Sequence, residues 1–192
     1  MKAKGWLTIM CMMGLVGCSS AHWSNDDALM ARSIEMQVDE GGSLTEIEYK
    51  IDPMKTPAAV RAAMDRLHPG GPFTDAEKEW NEGQLYFELS RVVGGMEVEA
   101  MFTPEGKLHS EEVQVTAAKV PAAVKSAIQS RWPRATVKKW EEIRDSERMV
   151  REYHVKLRQG DRHLKVAVST DGVVRAAWRE MPAEIEVPLG DG

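Results

Sequence analysis

The chain has two cysteines, Cys11 and Cys18, and none beyond position 18. Downstream there is no thiol for metal or redox chemistry and no pair for a disulfide, so the fold must rest on a packed core. No later apolar run approaches the length that spans a bilayer. The histidines His22, His68, His109, His154 and His163 are too scattered to make a metal-ligand pair such as H-x-x-x-H. Serines lie in no nucleophile-elbow pattern. Gly70-Gly71 and Gly94-Gly95 lack the neighbours of a phosphate cradle and read as turns. The acid pairs Glu111-Glu112 and Glu141-Glu142 point to opposite faces of a strand, so neither supplies two carboxylates to one cleft, and they read as solvated strand ends. No catalytic group, metal or cofactor is expected, and the chain reads as non-enzymatic.

What is present begins with an address. Lys2 and Lys4 precede an apolar run from Gly5 to Val16, the length of a signal peptide and short for a transmembrane helix. Leu15-Val16-Gly17-Cys18 then resembles the bacterial lipobox. The resemblance implies cleavage before Cys18, a diacylglyceryl group on its thiol and a palmitate-type chain on its amino group. Anchoring by several chains is effectively permanent, at about 0.8 kcal/mol per buried CH₂. Ser19 and Ser20 stand where an aspartate would favour the inner membrane. The expected location is the cell envelope, at the periplasmic face of the outer membrane, with the lipid as membrane contact and no nucleic-acid partner.

The body of the chain repeats itself. Thr56-Pro57-Ala58-Ala59-Val60 returns as Val120-Pro121-Ala122-Ala123-Val124, and each copy stops at a proline, Pro69 or Pro133. Val60, Ala63, Met64 and Leu67 share one helical face, as do Val124, Ala127, Ile128 and Trp132. Proline is expected at the first helical position, where its missing N–H costs nothing. An offset of 64 also carries Gly42 to Gly106 and Leu44 to Leu108. A third such turn is Thr170-Asp171-Gly172, with Val174 in the leucine's place. Alternating runs after each helix predict strands with one polar side, including less clear ones near 76–81 and 135–143. An extra hairpin precedes the first helix.

The expected fold class is α+β: two tandem modules, each one helix on a roughly four-stranded antiparallel sheet, after a signal peptide and hairpin. The boundaries are 1–17 signal peptide, 18–30 tether, 31–116 first module with its hairpin, 117–181 second module and 182–192 flexible tail. The proline-initiated helix, the strands and the Asp-Gly hairpin over 54–180 resemble the PepSY-like and β-lactamase-inhibitor-like domains of bacterial envelope proteins. That resemblance implies a protein or peptide partner, including inhibition of an exported enzyme, and no catalytic residues.

Charge divides the chain. Residues 18–116 carry 8 basic and 19 acidic side chains, and residues 117–181 carry 15 basic and 8 acidic. Lys156, Arg158 and Lys165 alternate away from the apolar strand positions and form an expected basic band. That band would meet an anionic partner, lipid or wall polymer, the alternative role being that of a structural or stress-related envelope protein, unless the two halves simply complement each other. Trp140 and Trp178 are the candidate aromatic anchors.

Overall fold

The computed structural model describes residues 23–81 and 83–189. The signal peptide and Cys18 lie outside the described residues. The described chain forms ten strands: β1 (Ser33–Val38), β2 (Leu44–Ile51), β3 (Phe73–Asn81), β4 (Gln84–Val93), β5 (Met96–Phe102), β6 (Leu108–Val115), β7 (Thr136–Asp145), β8 (Val150–Gln159), β9 (Arg162–Ser169) and β10 (Val174–Glu180). They lie in chain order in one sheet, each antiparallel to the next. Three α-helices accompany them among the described residues: α1 (Asn25–Met30), α2 (Ala58–Leu67) and α3 (Ala122–Arg131).

This corrects the expectation of two tandem modules, each with its own four-stranded sheet. β2 pairs with β3 from Ile47↔Trp80 to Ile51↔Ala76, and β6 pairs with β7 from Ser110↔Asp145 to Val115↔Trp140. Separate modules would leave a row of unpaired N–H and C=O groups at each of those edges. Continuous pairing satisfies them, which is why the sheet runs on.

The helices cover one face, called outer here. Pro57 and Pro121 are the residues that cap α2 and α3, with φ of −54° and −55°, one position earlier than expected. A fixed φ near −65° and no N–H suit that entry. Both helices close before the next proline, His68 N–H donating to Met64 O and Trp132 N–H to Ile128 O. α2 sets Val60 and Met64 on Ile47, Tyr49, Leu89 and Phe102, and α3 sets Val124 and Ile128 on Val155, Leu157, Val166 and Val168. Each fully buried valine contributes about 1.5–3 kcal/mol.

Two boundary expectations also change. Residues 25–30 of the expected tether form α1, capped by Ser24 and burying Ala28 in the first core. Residues 183–189 of the tail carry no regular structure, yet Val187 packs against that same core. Apolar contact outweighs chain entropy at both places.

Candidate functional site

The strand residues that face away from the helices line the inner face. Register places Glu48 beside Glu79, Lys50 beside Glu77, Glu77 beside Glu88, Ser90 beside Glu99, and Glu99 beside Glu112. A band of carboxylates therefore crosses five strands. The sheet also curls. In a flat sheet β2 and β9 would stand about 33 Å apart, but Lys165 of β9 feels the charge of Glu48 of β2, and both line one trough. Sheet twist accumulated over ten strands supplies the curvature.

The trough encloses about 220 Å³. Its lining comprises eight acids (Glu35, Glu48, Asp75, Glu77, Glu88, Glu97, Glu99 and Glu112), four lysines (Lys50, Lys139, Lys156 and Lys165) and Ser90. Lys50 Nζ lies 3.0 Å from Asp75 and 3.3 Å from Glu77. Lys139 bonds Glu97 and Glu141 and lies 3.8 Å from Glu99. The second oxygen of Glu141 is buried with no hydrogen-bond partner. His154 sits between two acids, Nε2 3.1 Å from Glu152 and Nδ1 3.2 Å from Glu112, the latter off the hydrogen-bonding direction.

These surroundings shift the titrations. Burial, then the neighbouring carboxylates, raises Glu48 and Glu88 well above the usual range. Burial and then Glu112 push Glu99 up to about 7, against the pull of Lys139. Glu112 behaves oppositely. Burial would raise it, but contact with His154 and the charges of Lys165 and Lys156 bring it to about 2. Burial would lower His154, and its two carboxylates raise it to about 9. Near pH 7 Glu99 is thus partly protonated, while Glu112 and His154 face each other as an ion pair.

Several carboxylate groups could hold a hard cation by distance. Glu35, Glu48 and Glu77 bring oxygens within 4.8 Å of one another, as do Glu97, Glu99 and Glu141. In the latter group the Lys139 ammonium already serves as counter-charge.

The sequence candidates scatter. Lys156 and Lys165 face each other across β8 and β9 and enter the trough among the acids. They do not form a free basic band, because the curl brings the acidic half over them. Arg158 lies at the exposed end of β8, where its Nε donates to Gly160 O at 3.1 Å. Trp178 stands beside Lys165 on β10. Trp140 packs on the outer face against the second core and is no inner-face anchor. Nor are the acid pairs solvated ends. Glu112 enters the trough, while Glu111 is 1% exposed on the outer face, against His68 and Arg148. The acidic trough is not among the expectations from sequence. Its signal was acid recurring at the polar phase of β2, β3, β4, β5 and β6, which the overall charge count conceals.

No protein-family model matches the chain, and no curated protein matches it. Solved structures do. A Bacteroides eggerthii protein described as periplasmic superposes with a TM-score of 0.53 at 16% identity, over 65% of this chain and 88% of its own. A DUF2874 family protein from Bacteroides uniformis gives 0.51 at 16% identity, over 65% and 89%. A BLIP-like protein from Bacteroides fragilis gives 0.49 at 18% identity, over 67% and 89%. The first two share the fold of this chain.

Proposed function

We propose that this is a non-enzymatic, lipid-anchored envelope protein that binds a basic segment of a protein or peptide partner in its inner trough. The observation that carries the reading is the imbalance of the lining, eight acids against four lysines. Carboxylates crowded enough to retain protons are an electrostatic demand that an entering ammonium or guanidinium would meet. Among the described residues the lining carries one hydroxyl, Ser90, and no thiol or imidazole, which favours binding over chemistry. The lipobox supports an envelope location, as does the description of the eggerthii structure. Contact of Lys156 and Lys165 with anionic lipid or polymer is disfavoured, because both lysines already sit among carboxylates.

The test is calorimetric titration with tetralysine at about pH 6 and about pH 8. Ammonium entry should expel the proton that Glu99 holds near pH 7, so binding should tighten at the higher pH, release protons and weaken with salt. Glu88→Gln with Glu99→Gln should weaken binding and suppress the proton release. Binding that is independent of pH and of these residues would defeat the proposal.

A further inference from the structure

Three hairpins of this protein have the same construction. In the β1–β2, β5–β6 and β9–β10 turns, the glycine N–H donates back three residues: Gly42 to Asp39 O, Gly106 to Thr103 O and Gly172 to Ser169 O, at 3.0, 2.8 and 2.9 Å. The three glycines have φ of 82°, 81° and 91°. The register slips at the same point in each, so that Val38 faces Leu44, Phe102 faces Leu108 and Val168 faces Val174.

Two of these hairpins are roofed by the first turn of a helix. A Cβ on Gly106 would lie 2.5 Å from Ala59 O of α2, and one on Gly172 would lie 2.8 Å from Ala123 O of α3. Beneath those roofs Phe102 is 1% and Val168 0% exposed, and two residues earlier Ala100 and Val166 are both 0% exposed. The third hairpin has the same apolar face and no roof there. Among the described residues nothing lies within 4 Å of a Cβ on Gly42. Val38 is 54% and Met36 42% exposed. α1 covers only the other end of this hairpin, where Ser24 N–H donates to Tyr49 Oη and Asp27 pairs with Lys78.

We infer that the outer face of the β1–β2 hairpin, at Met36, Val38 and Gly42 beside the half-buried Leu44, is a docking site for an α-helix of a partner protein. The two filled sites define the chemistry of the occupant. It opens with proline and small residues, so that its backbone can seat on the glycine. It then presents apolar side chains at the i, i+3, i+4 spacing of Val124, Ala127 and Ile128. Apolar side chains held at positions that are fully buried in two equivalent settings, on a turn that already fits a helix end, are the evidence for that occupant. This site is on the opposite face from the trough and does not depend on it.

The probe is a covalently stapled peptide copying Val120–Trp132, with helicity verified by circular dichroism. It is added to isotope-labelled protein beginning at Cys18 without lipid. Saturable shifts confined to Met36, Val38, Gly42 and Leu44 are expected, lost in Val38→Asp and retained in Glu99→Gln. Val38 is exposed, so Val38→Asp should melt like the parent. Three results would overturn the inference. One is no shift at millimolar helical peptide. The second is binding indifferent to Val38→Asp. The third is an occupied face without peptide, either by a dimer in sedimentation that Val38→Asp dissociates or by contacts from residues before Trp23.

Discussion

His68 Nε2 lies 2.7 Å from Glu111 Oε1, and Arg148 Nε reaches the other oxygen of that carboxylate at 3.1 Å. The carboxylate is 1% exposed. It ties the end of α2 to the β7–β8 turn, and so joins the first core to the second half of the sheet. Arg148 is held there at a φ of 63°. Glu111→Ala would leave His68 and Arg148 facing each other without the acid. Arg148 is half exposed, so no buried charge is stranded and a loss of roughly 1.5–3 kcal/mol is expected from the lost charge-assisted hydrogen bonds, read from the denaturant midpoint. Glu111→Gln keeps an acceptor and should lose less. Wild-type stability in Glu111→Ala would mean that the halves do not need this seam.

The three glycine turns should respond differently to alanine. At Gly106 and Gly172 a Cβ would strike helix backbone at 2.5 and 2.8 Å, whereas at Gly42 it would meet open space. Gly42→Ala bears only the left-handed backbone penalty, about 1–2 kcal/mol. Gly106→Ala and Gly172→Ala must also displace a helix and should lose more than that, by thermal melts of the three variants. Equal losses would show that the close approach carries no energy.

Stability should peak near pH 5. Glu99 titrates near 7 in the fold against an ordinary 4.5. The folded state holds that proton more tightly, so stability falls as pH rises from 4.5 to 7. His154, raised to about 9, contributes stability that is complete below 6.5 and lost as pH climbs through 9. Glu112, lowered to about 2, contributes stability that is present above 4.5 and lost as pH falls through 2. Urea midpoints across this range should trace the dome. Glu99→Gln should flatten the 4.5–7 limb, which is worth about 2–3 kcal/mol.

Cys18→Ser removes the residue on which the lipobox reading turns. The variant should remain unprocessed or leave the membrane fraction. Mass spectrometry of the parent's mature N-terminus should find acylated Cys18. A mature N-terminus elsewhere, or an unmodified one, would end that reading.

Much of the secondary structure was legible in the sequence. Proline entry and the 3.6-residue spacing of Val60, Ala63 and Met64 marked α2, and the same pattern marked α3. Alternation marked most strands, and the glycine offsets marked the turns. These are local signals, set by backbone geometry over a few residues. Alternation also sorted Lys156 and Lys165 from Val155 and Val166. It could not say what would lie opposite them. That β2 joins β3 and β6 joins β7 depends on backbone hydrogen bonding at edges, which carries no side-chain code. Curvature decided the rest. It gathered the polar phases of strands far apart in sequence into one crowded trough, which turned a basic band and an acidic half into neighbours and raised the carboxyl groups of Glu48, Glu88 and Glu99.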